Sequence, residues 1–262
     1  MQFRDRREAG QLLAKEFASL RDQKDVIVLG IPRGGVVVAA EVAKKLGAPL
    51  DVYITRKIGA PYNPELAIGA VASDGTLVLD YNLIERIGVP EDYVQRETER
   101  QRQEIQRRLA TYRGSRPEPQ LEGKTVILVD DGVATGATIL ASLRAIKQRK
   151  PARLILAVPV GPADTIQLLS READQVVCLY TPEIFWAVGA FYAIFDQTSD
   201  EEVIRLLQAH QGSTAPSASG GSCSSADASG GAGSPPRASG VGSSSAGASG
   251  DGSAGGDSPS SC

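Results

Sequence analysis

The chain has 262 residues, of which 28 are basic, 31 acidic, one is histidine and three are cysteine. A formal charge of −3 gives no field for holding nucleic acid, and the lone His210 supports neither a histidine-clustered zinc site nor a histidine-based triad. No run reaches the roughly 18 apolar residues that span a bilayer, and the opening MQFRDRREAGQ lacks the apolar core of a secretory signal. Cys178, Cys223 and Cys262 are too scattered for a disulfide framework, so a reducing cytoplasm is the expected location.

In chain order, Val26–Ile31 (VIVLGI) reads as a buried strand and Val36–Leu46 as a helix stopped by Gly47. Leu50–Thr55 is a second strand, and Leu66–Ala72 with Thr76–Leu79 makes a weaker pair. Between them, residues 58–65 (IGAPYNPE) contain two prolines and a glycine and predict an irregular loop. Glu91–Tyr112 predicts a long, solvated helix with i,i+4 charge pairs. Thr125–Val129 is a strand, Ala137–Gln148 a helix, and Leu154–Pro159 and Gln175–Leu179 are two further strands flanking a helix at Ala163–Arg171. Strands rich in Val, Ile and Leu that alternate with helices predict an α/β fold, a doubly wound parallel sheet covered on both faces. We expect a five-stranded core in the order 3-2-1-4-5. Composition changes after His210. Of the 52 residues at 211–262, 39 are Ser, Gly or Ala (17, 13 and 9), too little apolar surface to offset chain entropy. The expected organisation is one domain at 1–210 and a disordered tail at 211–262.

The most informative segment is Val126–Thr138, VILVDDGVATGAT. A buried strand ends in two adjacent carboxylates, Asp130 and Asp131. A small-residue loop follows (Gly132, Val133, Ala134, Thr135, Gly136), and a helix starts at Ala137 and Thr138. At the carboxyl edge of a parallel sheet, such a loop aims backbone N–H groups at an anion, with the Thr135 and Thr138 hydroxyls as further donors. The carboxylates would repel a phosphate, so their natural partners are sugar hydroxyls or a magnesium ion. The residues alone therefore suggest a ribose 5-phosphate site. Neither a Walker loop nor a dinucleotide G-x-G-x-x-G is present.

This segment resembles the phosphoribosyl pyrophosphate (PRPP) motif of type I phosphoribosyltransferases. In that family the paired acids hold the ribose hydroxyls and the T-G-x-T loop holds the 5-phosphate. Gly132 departs from the motif, where an aliphatic is commoner. Gly30-Ile31-Pro32-Arg33-Gly34-Gly35, at the end of the first strand, resembles the family's pyrophosphate loop in its R-G-G form. The resemblance implies a cis peptide bond at Pro32–Arg33. It implies that Arg56 and Lys57, just after the second strand, contact the leaving diphosphate from a mobile loop. It also implies that the aromatic-rich Thr181–Phe195 segment forms a small hood over the acceptor base, with Trp186 stacking on it and Phe185 as second candidate. In 6-oxopurine salvage enzymes an Asp handles the purine proton where this chain has Ala134, which counts against hypoxanthine and guanine without establishing adenine.

The function so implied is Mg²⁺-dependent transfer of a 5-phosphoribosyl group from PRPP to a nitrogenous base, releasing pyrophosphate. Asp130, Asp131, Lys57 and Arg33 would be catalytic, and Asp130 and Asp131 would also face the metal. Gly34, Gly35, Arg56, the 132–138 loop and Trp186 would bind substrate. The partners expected are PRPP and a base, with no membrane and no nucleic acid. The 91–112 helix could cap the site or pair two subunits, so a homo-oligomer is allowed. A PRPP-sensing regulator that catalyses nothing is the alternative, and a hydrolase using water as acceptor is a third reading.

Overall fold

The computed structural model describes residues 1–210. The expected disordered tail, 211–262, lies outside the described residues. The chain opens with α1 (Arg6–Leu13) and a 3₁₀ segment (Ala14–Leu20), then β1 (Val26–Gly30), α2 (Gly34–Leu46) and β2 (Leu50–Val52). An antiparallel trio follows, β3 (Thr55–Ala60), β4 (Asn63–Ala72) and β5 (Leu77–Leu79), and then α3 (Tyr81–Arg86) and α4 (Glu91–Arg113). The rest is β6 (Thr125–Val129), α5 (Ala137–Gln148), β7 (Arg153–Val160), α6 (Ala163–Leu169), β8 (Gln175–Tyr180), a 3₁₀ turn (Val188–Phe191) and α7 (Asp200–Ala209).

Five strands form one parallel sheet in the order β2-β1-β6-β7-β8. Its central strands are buried along their whole length because both faces are covered. Val28, Ile127 and Ile155 join the core that contains α2, α4 and α7 side chains such as Val38, Ile105 and Val203. Leu29, Leu128 and Leu156 point to the opposite core, with Leu143 and Ile146 of α5. The fold class is the expected one, α/β with a parallel central sheet. The strand order is corrected. The third expected strand does not extend the sheet beyond β2. It is β4, in a separate antiparallel sheet with its own small core of Ile58, Ile68, Val89 and Val94.

A second correction concerns residues 58–65, expected to be an irregular loop. They form the end of β3, the turn and the start of β4 in one hairpin. Its register shifts on both sides of Gly59, from Ile58 paired with Gly69 to Gly59 paired with Ala67 and Ala60 paired with Asn63. That bulge leaves Pro64 outside the ladder, where its missing N–H costs nothing. Only Pro61 and Tyr62 form the turn, and Tyr62 is fully exposed at its tip.

Helix α4 is amphipathic. Its charged face carries pairs such as Arg100–Glu97, while Val94, Ile105 and Leu109 are buried. It is fastened at several heights. The Tyr93 hydroxyl donates to the Gly59 carbonyl at 3.0 Å, Arg56 Nε to Gln101 Oε1 at 2.9 Å, and the Tyr112 hydroxyl to Asp200 Oδ1 at 2.6 Å. At its end the buried Arg113 meets Asp51 of β2, Nε to Oδ2, at 3.2 Å. Among the described residues no helix is long and apolar enough to cross a membrane.

Candidate active site

Strands β1 and β6 are neighbours in register, with Gly30 opposite Val129. Each runs directly into a loop and a helix, so both loops open at the carboxyl edge of the sheet, side by side. After β1 come Ile31, Pro32 and Arg33, and the Ile31 amide donates to the Val129 carbonyl at 2.9 Å. The Pro32–Arg33 peptide bond is cis. Helix α2 begins at once with Gly34 and Gly35, which carry no side chains of their own beside its first amides.

After β6 come Asp130 and Asp131, then the loop Gly132–Gly136 and the start of α5. Gly132, Val133 and Gly136 are buried and form the frame of the loop. Ala134, Thr135, Ala137 and Thr138 are exposed on its rim. The frame is pinned from below: the Val133 amide donates to the Val160 carbonyl at 2.9 Å, and Thr165 Oγ1 donates to the Ala134 carbonyl at 2.9 Å. Gly136 caps α5 at φ +76°, a conformation that favours glycine. The remaining amides at this helix start have no intrahelical partner, the condition for an anion cradle.

The two loops touch through the carboxylates. A methyl group on Gly34 would collide with the Asp131 carboxylate, and one on Gly35 would stand 2.7 Å from Asp130 Oδ1 and 2.9 Å from the Asp130 backbone. Gly35→Ala should therefore push the β1 loop off β6. Overpacking of this kind costs roughly 1–3 kcal/mol, so a thermal melt should show clear destabilisation. A variant as stable as the wild type would mean that the loops are not held in contact.

The sequence reading missed Arg6, which reaches the carboxylates from α1. Its Nε donates to Asp131 Oδ2 at 2.7 Å, Nη1 donates to the Asp196 carbonyl at 2.7 Å, and its guanidinium lies 3.8 Å from the Phe195 ring centroid. Tyr192 adds a further clamp, its hydroxyl donating to the Asp131 carbonyl at 2.5 Å. The Tyr192 phenol is pushed upward by burial and then by the nearby Asp131 charge. Asp130 Oδ1 accepts the Asp131 amide at 2.8 Å. Burial, and after it the Asp131 charge, hold the Asp130 carboxyl well above the ordinary aspartate range.

Other expected site residues lie further out. Arg33 faces Asp200 of α7, Nη1 to Oδ1 at 3.9 Å. Arg56 and Lys57 are consecutive on β3, so they face opposite sides of the small sheet. Arg56 turns to Gln101 of α4, and Lys57 is exposed on the other side. The 181–195 segment approaches the Gly132–Gly136 loop through Val188, whose Cγ1 would lie 2.5 Å from a methyl group on Gly132. Trp186 is 86% exposed. Phe185 is packed, its ring stacked on Phe191 with centroids 5.4 Å apart. Among the described residues no group of three or more His, Cys, Asp or Glu side chains is arranged to hold a metal ion.

A family model described as the phosphoribosyl transferase domain matches residues 4–193, from just before Arg6 to just after Tyr192. The chain belongs to this family. It is 45% identical over 210 residues to two Mycobacterium tuberculosis proteins named "Putative phosphoribosyl transferase", from strains H37Rv and CDC 1551. The match takes in 80% of this chain and 47% of theirs, so the chain spans about half the length of the curated relatives it matches. The crystal structure of TT1426 from Thermus thermophilus is 47% identical, with a TM-score of 0.72 over 79% of this chain and 98% of that one. The phosphoribosyl transferase match therefore extends over both loops, the paired carboxylates, Arg6 and Tyr192.

Proposed function

We propose that the protein transfers a 5-phosphoribosyl group from PRPP to a nitrogenous base and releases pyrophosphate. The observation that carries this reading is the contact between the two loops, which brings two helix starts and two carboxylates to one edge of the sheet. The 132–138 amides, with Thr135 and Thr138, hold the 5-phosphate. The Arg33–Gly35 loop holds the diphosphate. Asp131 Oδ2 is taken by Arg6 and Asp130 Oδ1 by the Asp131 amide, which leaves the second oxygen of each carboxylate for one of two vicinal ribose hydroxyls.

In the reaction, a base nitrogen attacks the anomeric carbon as the bond to the diphosphate oxygen breaks. The leaving pyrophosphate takes the electron pair, and the base releases its proton. The carbon passes through a cationic state. Asp130 and Asp131 favour that state, while Arg33, Lys57 and the loop amides stabilise the departing anion. The donor set fits a magnesium ion only in part: among the described residues, two carboxylates without a third protein ligand match an ion that arrives on the substrate's diphosphate. There it would neutralise leaving charge. The exposed Trp186 is the candidate platform for the base, and Arg56 supports the site through α4.

The test is incubation with PRPP, Mg²⁺ and a panel of bases, scored for pyrophosphate. Release that requires a base supports the proposal. Base-independent release means that water is the acceptor. Binding of PRPP without release means a sensor.

A further inference from the structure

The sequence assigned no chemistry to α4. Beside the cis peptide, however, a cleft of about 510 Å³ is bounded on one side by Pro32 and Arg33 and on the other by α4. Three guanidinium groups line it, those of Arg33, Arg107 and Arg108, together with Tyr112 and one carboxylate, Asp200. The two α4 arginines are held upright by Glu104 one turn earlier. Arg107 Nε donates to Glu104 Oε2 at 2.9 Å and its Nη2 to Oε1 at 3.0 Å, and Arg108 Nε donates to Oε1 at 2.8 Å. A guanidinium has five N–H donors, so these bonds orient each group and leave donors over. Asp200 meanwhile accepts from Tyr112 at 2.6 Å and faces Arg33 at 3.9 Å.

Three guanidinium groups set against two carboxylates, Asp200 and Glu104, leave the cleft a net positive charge that favours a multivalent anion. We infer that this cleft binds a diphosphate-class anion, with Arg107 and Arg108 of α4 as ligands beside Arg33, and with Asp200 as an internal competitor for the same cations. The inference rests on the reading above for the nature of the anion and adds a wall that the two loops do not supply. A simple scaffold role for α4 would account for Ile105 and Leu109, which are buried, but not for a polar cleft set against the Arg33 loop.

The test titrates inorganic pyrophosphate, and separately PRPP, both with Mg²⁺, into the full chain by calorimetry. The variants are Arg107→Gln/Arg108→Gln, Asp200→Asn and, as a control on the distant part of α4, Arg96→Gln. Among the described residues Arg107 and Arg108 bond side chains on their own helix, so melting curves should stay close to wild type. Losing two charge-assisted contacts should weaken pyrophosphate by at least about tenfold. Asp200→Asn keeps the size of the side chain and removes its charge, so pyrophosphate should bind several-fold tighter. A purely structural role would not produce that gain. Arg96→Gln should change nothing. Parallel weakening of PRPP assigns the cleft to the substrate's own diphosphate, and unchanged PRPP binding assigns it to a separate diphosphate ligand. Wild-type affinity in the double arginine variant, or no gain in Asp200→Asn, overturns the cleft and leaves the proposed transfer standing. A wild type that binds neither pyrophosphate nor PRPP overturns both.

Discussion

Replacing both site carboxylates, Asp130→Asn with Asp131→Asn, should remove PRPP turnover while the fold survives. The amides can still hydrogen-bond a ribose but no longer place negative charge beside the cationic carbon. Loss of one preorganised electrostatic contact costs about 10²–10³ in rate, so the pair should cost at least about 10³. The single variants should separate in stability. The Asp130 carboxyl is held above its ordinary range by burial and then by Asp131, so the folded protein binds that proton more tightly than the unfolded chain. Stability is therefore lost as pH rises from the ordinary aspartate range through the raised folded value. At neutral pH, Asp130→Asn removes that penalty and should raise the melting temperature. Asp131→Asn leaves the Arg6 guanidinium without its counter-charge and should lower it. Turnover and melting curves on the three variants check this. Full turnover in the double variant would remove the assigned role, and a destabilised Asp130→Asn would mean that its carboxylate is needed for the fold.

Arg113→Ala should be strongly destabilising although it lies outside the site. Arg113 and Asp51 are 8% and 7% exposed, and their side chains meet at 3.2 Å where the end of α4 crosses β2. Asp51 Oδ1 also accepts the Val52 amide at 2.7 Å. Truncating the arginine strands a buried charge, which costs roughly 3–5 kcal/mol. For a domain of this size that corresponds to a fall in melting temperature of roughly 6–20 °C. Arg113→Met with Asp51→Asn should recover most of the loss, because an apolar or neutral replacement leaves no stranded charge. A fall below about 2 °C for Arg113→Ala would show that the pair is solvated. Because this anchor sets the position of α4, its loss should also loosen the cleft formed with Arg107 and Arg108.

The central strands were legible because burial on both faces demands unbroken apolar runs. VIVLG and TVILV are such runs, short and rich in β-branched residues, and the start of α5 follows directly from Gly136. Gly47, at φ +66°, stops α2 where a left-handed residue is needed. The β3–β4 hairpin was not legible, since Pro61, Pro64 and Gly59 read as breakers when in fact the bulge sets Pro64 outside the ladder. Two terminal helices went unread although their signals were present. Asp5 accepts the Glu8 amide and Ser199 the Glu202 amide, the spacing of a capping box in both cases. Both site loops could be found from local sequence, because each loop carries its own amides and glycines. Arg6 could not. It lies 125 residues from Asp131, and only the docking of the first residues against 191–194 brings it there, through bonds such as Phe3 amide to Phe191 carbonyl at 2.8 Å. The cleft beside α4 was hidden for the same reason, since a charged helix face looks identical in sequence whether it meets water or a substrate.

The central claim is that the β1 and β6 loops form one PRPP site. A crystal structure with PRPP bound tests it most directly. The account predicts the 5-phosphate on the amides of residues 134–138, the ribose hydroxyls on Asp130 and Asp131, and the diphosphate on the Arg33–Gly35 loop. PRPP bound with its ribose away from both carboxylates, or its 5-phosphate away from the 134–138 loop, would contradict it.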